Sequence, residues 1–99
     1  MTTIKQVAEA FINGESATCY NALTNGTEYQ LHRTIIANKL PDGGIQFSWG
    51  GWYSATTANH MNKILETLGE QQGNKYLYDR VSYARSRDNN ETAFIIDPR

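Results

Sequence analysis

The sequence predicts a single α+β domain: a short N-terminal helix, an antiparallel sheet of three to five short strands, a second helix on one face, and C-terminal strands. Three observations predict it. The length of 99 residues fits one domain. Apolar residues recur at helical spacing in two separate segments. Between these segments, short runs of high strand propensity alternate with turn residues.

The first helix is predicted over residues 3–12, where apolar side chains recur every three or four positions. Thr2 or Thr3 can cap its start, and Asn13-Gly14 supplies a glycine stop. An antiparallel meander should follow, because Asn25-Gly26 is a strong hairpin signal and Pro41–Gly44 has turn composition. Its strands are predicted at 17–23, 28–32, 34–40 and 45–49.

The second helix is predicted over roughly 56–68, capped by Ser54, Thr56 or Thr57 and closed by Gly69. Beyond it the pattern is ambiguous. Residues 75–85 have high strand propensity, although Leu77, Val81 and Ala84 also fit a helical stripe, and we interpret the segment as a strand. A last strand is predicted over 92–96.

The composition excludes several classes of function and location. The formal net charge of -1 argues against a nonspecific DNA binder and against an acidic DNA mimic. Cys19 is the single cysteine, so no disulfide can form within the chain, which fits a reducing compartment. No apolar run approaches the roughly 20 residues that cross a bilayer, and no signal-peptide pattern opens the chain. We therefore expect a cytoplasmic protein without membrane contact.

The most informative stretch is residues 49–60, where an aromatic strand meets Gly50-Gly51 and then a helix start rich in hydroxyl groups. Such a helix start can hold an anion, and nearby rings can stack on a base. The competing interpretation is simple helix capping above an aromatic core. The candidate binding residues here are Trp49, Trp52, Tyr53, Ser54, Thr56, Thr57 and His60.

The histidines and the cysteine are weak candidates for chemistry. His60 could act as a general base, but we favour a partly exposed helix histidine that bonds to a strand hydroxyl or carbonyl. His32, His60 and Cys19 do not have metal-ligand spacing, and Cys19 shows no base nearby in sequence. We predict no catalytic residue, no metal site and no cofactor.

A second candidate surface alternates rings with guanidinium groups. On a strand, residues two apart share a face, so each ring would lie beside an arginine, as in proteins that bind single-stranded nucleic acid. Nearby Asp79, Asp88 and Glu91 dilute the positive charge, and we favour a solvated edge with internal ion pairs. The residues concerned are Tyr78, Arg80, Tyr83 and Arg85.

Four short motifs occur together in the first two thirds of the chain. They are Phe11-Ile12-Asn13-Gly14-Glu15-Ser16-Ala17, Asn25-Gly26, Ile36-Ala37 and the Tyr-Ser-x-Thr-Thr-x-x-His-x-Asn pattern of Tyr53 through Asn62. In these motifs the chain resembles a family of short phage-encoded proteins of unassigned function. The resemblance covers about residues 3–68, whereas 75–99 look like a C-terminal extension of the sheet. It implies a phage origin and a small accessory role, and it implies no activity.

Four functions follow as hypotheses. The first is a non-enzymatic accessory protein that binds and modifies a host factor, of the host-takeover or anti-defence inhibitor type. It predicts an exposed aromatic patch of several hundred Å². The second is a protein that sequesters a nucleotide-like signal at residues 49–60 together with Arg80 or Arg85. A nucleic-acid binder is a further alternative, and a small hydrolase using His60 or His32 ranks last. Free sheet edges are also compatible with a homodimer.

Overall fold

Residues 3–98 are described by the structure, a computed structural model, and they form a six-stranded antiparallel sheet with helices on one face. The strands follow each other in chain order across the sheet, so every connection is a hairpin or a helical excursion. This is the predicted α+β class. The elements are α1 (Ile4–Asn13), β1 (Ala17–Cys19), β2 (Ala22–Thr24), β3 (Glu28–Leu31), β4 (Thr34–Lys39), β5 (Ile45–Ser48), α2 (Ala55–Gln71), α3 (Tyr83–Asp88) and β6 (Ala93–Ile96).

The core lies between the sheet and the two longer helices. Tyr29 is fully buried at its centre, with its ring edge-on to Phe11 of α1 at 6.0 Å and to His60 of α2 at 5.8 Å. Further along the same row, the ring of Phe47 stacks on Phe94 at 4.9 Å. One face of the sheet therefore carries both helices, and burial of this apolar surface is the main stabilising term.

Helix α1 begins and ends as its sequence predicts. Thr3 and Gln6 exchange hydrogen bonds in a capping box, and Gly14 ends the helix in the left-handed region at φ 79°. The buried side chains of the helix are those of the predicted stripe and its neighbour: Val7, Ala8, Ala10 and Phe11.

The single strand predicted over 17–23 is wrong, because the chain reverses inside it. Strands β1 and β2 pair with each other, and Cys19 lies opposite Ala22. The reversal occurs at Tyr20-Asn21, with Tyr20 at φ 54°. A tyrosine in the left-handed region is uncommon, and no glycine or proline marks this turn in the sequence.

The strand predicted over 75–85 is also wrong. The chain is irregular up to Ser82, which caps the short helix α3 through its hydroxyl group. Helix α2 does not end at Gly69 but continues to Gln71, and the chain then folds back so that Asn74 donates its N–H to the Gly69 carbonyl at 2.8 Å. Only β6 adds a C-terminal strand, on the free edge of β5.

Candidate functional site

A hairpin turn, a bulge and a helix start meet at one end of the sheet. The β3–β4 turn contains only His32 and Arg33, both at positive φ (52° and 68°). Positive φ at both central residues defines a type I′ turn, which normally selects Asn-Gly. Two bulky side chains therefore occupy backbone positions that disfavour them.

A second turn of the same kind follows β5. The Trp52 N–H donates to the Trp49 carbonyl at 3.0 Å, and Gly50 and Gly51 between them have φ 63° and 79°. Here glycine provides the required conformation without a Cβ penalty. The turn separates the two tryptophans: Trp49 is 1% exposed and Trp52 is 72% exposed.

Strand β4 contains a β-bulge between these two turns. Tyr29 pairs with Ala37 but Gln30 pairs with Ile35, so Ile36 is the extra residue of β4. As a result Ile36 and Ala37 are both buried, although they are consecutive. The bulge thus adds an apolar side chain to this end of the core.

These features enclose a cavity of about 500 Å³. Its walls come from the end of β3, the start of β4, the glycine turn and the first turn of α2. Of the eleven candidate binding residues, five line it together: Trp49, Trp52, Ser54, Thr56 and Thr57. Sequence reasoning did not assign Leu31, His32, Thr34, Ile36 and Gly50 to this wall.

Four exposed side chains lie on the three turns at this end of the sheet, and we call them the loop-end surface: Tyr20, His32, Arg33 and Trp52. Of these, His32 and Trp52 line the cavity. The His32 N–H donates to the Asn21 carbonyl at 3.0 Å, so the β1–β2 and β3–β4 turns touch. A smaller hollow of about 180 Å³ lies between Tyr20, His32 and Thr56. Tyr20 is 87% exposed, and the surface continues from it to Trp52. The predicted strands 28–32 and 34–40 leave only Arg33 between them, and this short gap was the available signal for a tight turn.

Gly50 should be required by packing as well as by backbone conformation. A Cβ added there would overlap the Thr34 side-chain methyl, whereas a Cβ at Gly51 meets nothing within 4 Å. Both glycines have positive φ, so Gly51→Ala isolates the backbone cost. We expect Gly50→Ala to lower the free energy of unfolding by roughly 1 kcal/mol more than Gly51→Ala in urea titrations. Equal losses would show that Thr34 rotates away freely.

Several residues of the Tyr53–Asn62 pattern hold the fold together. The Tyr53 hydroxyl donates to the Glu91 carbonyl at 2.9 Å. The Ser54 hydroxyl caps α2 by accepting the Thr57 N–H at 3.2 Å, as predicted for this residue. Tyr53 therefore does not line the cavity, and its ring packs 5.4 Å from that of Trp49 instead.

The two later members of the pattern are buried and paired. His60 is 5% exposed, and its Nδ1 lies 2.7 Å from the Tyr29 hydroxyl. The Asn62 side chain accepts the Val81 N–H at 2.7 Å and donates to the Val81 carbonyl at 3.0 Å. The predicted bond between a helix histidine and a strand hydroxyl matches this geometry. The predicted partial exposure of His60 is wrong, because the side chain packs into the core against the Tyr29 ring.

Burial determines the protonation of the Tyr29–His60 pair. It strongly raises the pKa of the Tyr29 phenol, and Cys19 adds to that rise, so Tyr29 stays protonated and donates. Burial, and secondarily the charge of His32, lowers the pKa of His60 below its ordinary value. Neutral His60 therefore accepts at Nδ1 and carries its proton on Nε2.

The lowered pKa of His60 predicts acid sensitivity. The unfolded chain binds more protons than the native state near pH 6.5, so the free energy of unfolding should fall as the pH drops through that value. His60→Gln removes this titration and keeps polar atoms for Tyr29. Thermal melts across this range should show a smaller acid loss for His60→Gln, and His32→Gln should still lose stability in acid. A native-like acid loss in His60→Gln would contradict the assignment.

The second candidate surface does not form. Tyr78 and Arg80 lie in the irregular segment, and Tyr83 and Arg85 lie on α3, where residues two apart point to different sides. Tyr78, Arg80 and Arg85 line a separate hollow of about 730 Å³ that also contains Asp79 and Glu91. Arg80 lies 4.0 Å from Glu66. The predicted pairing of rings with arginines on one strand face is therefore wrong.

Two further observations concern the part of the chain that the structure describes. None of the helices within residues 3–98 is long and apolar enough to cross a bilayer. No three His, Cys, Asp or Glu side chains among these residues are grouped so that they could hold a metal ion.

Comparison with known proteins identifies a family. The family model described as "Kyanoviridae Gp96 protein" matches residues 1–97, a span that includes the C-terminal segment beyond residue 75. No curated protein and no solved structure matches the chain. The phage origin that the resemblance implies is thereby confirmed. The chain belongs to the Kyanoviridae Gp96 family of phage proteins.

Proposed function

We propose that the protein is a non-enzymatic phage accessory protein that binds a host protein through the loop-end surface, in the host cytoplasm, and so alters a host process during infection. The observation that carries this proposal is the combination of an exposed tryptophan with bulky residues held at positive φ around one end of the sheet. Its subclass would be host takeover or inhibition of host defence.

Three residues of the loop-end surface adopt backbone conformations that are unfavourable for their side chains, and this supports a functional role for the surface. Two turns of one type lie side by side, and only the one after β5 uses glycine. His32 and Arg33 occupy the other turn at a conformational cost, and Tyr20 bears a similar cost. Residues in sparsely populated backbone regions concentrate at functional sites. Retaining these side chains is readily understood if they contact a partner.

The chemistry of this surface suits a protein partner. Tryptophan, tyrosine and arginine are the residue types most enriched among those that dominate binding energy at interfaces. Trp52, Tyr20 and Arg33 bring all three to one end of the sheet. The exposure of Tyr20 and Trp52 is compatible with the aromatic patch that the host-factor hypothesis predicts.

The competing hypotheses receive less support. An enzyme built on His60 would need that imidazole for proton transfer, yet it is buried and its Nδ1 is engaged by Tyr29. A nucleic-acid binder would have relied on rings and arginines sharing a strand face, and that arrangement is not formed. We therefore propose binding rather than catalysis.

Capture from host lysate tests the proposal with a matched pair of variants. Trp52 and Tyr76 are similarly exposed (72% and 77%), but Tyr76 follows α2 and lies outside the loop-end surface. Tagged native protein should retain one stoichiometric host protein after nuclease treatment. Trp52→Ala should weaken this capture by about 2 kcal/mol or more, the range of a dominant interface residue, and Tyr76→Ala should leave it unchanged.

Two outcomes would contradict the proposal. Capture that is lost after nuclease treatment would indicate nucleic acid as the partner. Capture that is insensitive to Trp52→Ala but lost in Tyr76→Ala would place the interface in the C-terminal segment. Thermal melts of both variants establish that each is folded, and little change is expected because both side chains are largely solvated.

A further inference from the structure

We propose that the chain forms a two-fold homodimer in which strand β6 pairs antiparallel with β6 of a second copy, so that the two sheets become one continuous sheet. This inference does not depend on the proposed docking function, because no residue of the loop-end surface lies on β6. Three observations carry it: the direction of the backbone groups of β6, its uncharged sequence, and the open space beside it.

The backbone of β6 has one side that is paired and one side that is open. The Trp49 N–H donates to the Thr92 carbonyl at 3.1 Å, and the direction of hydrogen bonding alternates from residue to residue along an antiparallel strand. Phe94 therefore turns its N–H and carbonyl toward β5, whereas Ala93 and Ile95 turn theirs away from it. Since β6 is the last strand of the sheet in the described part of the chain, a further strand could pair with Ala93 and Ile95.

This edge lacks the features by which proteins usually protect an exposed strand. Such strands are very short, or they contain charged residues, proline or a bulge. The four residues Ala93–Ile96 include no charge and no proline, their register with β5 is unbroken, and Ile95 is 62% exposed. The opposite edge of the sheet, β1, has only three residues. We therefore expect β6 to be the edge that another strand covers.

A second copy of β6 is a matching strand. Hydrogen-bonded pairs require backbone groups that point outward on both strands, so odd-numbered residues must face odd-numbered residues. Pairing Ile95 with itself across a two-fold axis meets this condition and sets Phe94 opposite Ile96, so each of these pairs is apolar. With Phe94 on the axis instead, Asp97 would face the second copy's Glu91, and like charges directly opposite each other are unfavourable.

Both faces of β6 have apolar surface that the pairing would cover. On the helix side, Phe94 and Ile96 line the hollow of about 730 Å³ and are only partly buried. Because side chains alternate between the two faces, the same two residues of the second copy would lie beside them, over this hollow. On the other face, Ile95 would pack against Ile95 of the second copy. The exposed side chain of the strand thus becomes buried.

Sedimentation equilibrium of the full chain tests the dimer. Pairing of one four-residue strand buries less surface than a standard interface, so we expect reversible association with a dissociation constant of about 1–100 µM. Between about 5 µM and 1 mM chain, the mean mass should therefore shift from that of a monomer to that of a dimer. A monomer throughout this range would overturn the proposal.

A matched pair of lysine variants locates the interface. Ile95→Lys places two like charges at the axis and should weaken dimerisation at least about tenfold. Leu23→Lys is the control, because Leu23 is 43% exposed on the same face but lies in β2, which has a neighbour on each side. It should dimerise like the native protein. Dimerisation that survives Ile95→Lys, or is lost equally in both variants, would overturn the proposal. Thermal melts establish that both variants are folded.

Disulfide trapping tests the register. In the proposed pairing the two Cα atoms of residue 95 lie about 5.5 Å apart, which is within disulfide range. Ile95→Cys should therefore form a covalent dimer on mild oxidation, whereas Ala93→Cys, which does not face itself, should form little. The native chain, whose single cysteine Cys19 is buried, gives the baseline. A covalent dimer from Ala93→Cys and none from Ile95→Cys would overturn the proposed pairing.

These experiments are distinguishable from host capture. Ile95 lies outside the loop-end surface, so Ile95→Lys should still retain the host protein whose capture Trp52→Ala weakens. A dimer without host capture, or the reverse, therefore assigns the failure to one proposal. A monomeric native chain whose host capture is lost in Ile95→Lys would assign the β6 edge to a strand of the host protein and overturn self-pairing.

Discussion

Replacing Gly69 with alanine should destabilise the protein by about 1–3 kcal/mol, the usual cost of overpacking. Helix propensity alone predicts the opposite, a gain of about 1 kcal/mol, because Gly69 lies inside α2. Packing prevails because an added Cβ would overlap the Asn74 carbonyl and press on the Lys75 backbone. These are main-chain atoms held by the Asn74 N–H bond to Gly69, so a rotamer change cannot relieve the overlap.

Urea titration and thermal melts would measure this effect. A loss of about 1 kcal/mol corresponds to a melting temperature lowered by roughly 4–8 °C in a domain of this size. Gln71→Ala is the matched control, since Gln71 is exposed in the same helix, and it should change stability by no more than about 0.5 kcal/mol. A Gly69→Ala variant more stable than the native protein would contradict this prediction. It would show that the backbone at Asn74 and Lys75 can move away from the added Cβ.

Replacing Asn62 with alanine should release the segment between α2 and α3. The Asn62 amide satisfies both the N–H and the carbonyl of Val81, and its loss leaves two partly buried backbone groups unpaired. An unsatisfied buried group costs about 1–3 kcal/mol. We therefore expect a stability loss in that range, together with faster proteolysis between residues 74 and 82.

Asn59→Ala is the control for this prediction, because Asn59 lies on the same helix but is exposed. It should leave both the melting temperature and the proteolysis pattern unchanged. If Asn62→Ala and Asn59→Ala behaved alike, the contact with Val81 would not anchor the segment.

The helices were predictable because their signals are local. The stripe and capping box of α1 and the Ser54 cap of α2 lie in the residues that form each helix. Strand content was predictable for the same reason wherever a strong turn signal separated the runs, as at Asn25-Gly26. Tyr20-Asn21 carries no such signal, so one run concealed two strands.

The C-terminal segment was mispredicted because tertiary contacts determine it. Its tyrosines and valine favour strands, yet the Asn62 side chain of α2 forms hydrogen bonds with both the N–H and the carbonyl of Val81. Ser82 then caps a helix of six residues. Such a helix is too short to show a periodic stripe. Contacts with α2 therefore outweighed the intrinsic strand propensity of this segment.

One wall of the candidate site could be predicted from the sequence, and the opposing wall could not. The sequence indicated that rings, hydroxyls and a helix start meet in residues 49–60, and five of the seven candidate residues named there line one cavity. Residue type could not reveal that Trp49 is buried while Trp52 is exposed, since the two positive-φ glycines between them decide it. The opposing wall from β3 and β4 depends on strand register and a bulge, neither of which a single sequence displays.

Hydrogen–deuterium exchange on the complex with the captured host protein tests the central claim most directly. Backbone amides at residues 20–22, 31–34 and 50–56 should exchange more slowly in the complex, because these segments carry the loop-end surface and the cavity rim. Exchange at residues 74–91 should remain as in the free protein. Slower exchange confined to residues 74–91, with the loop end unchanged, would contradict the account.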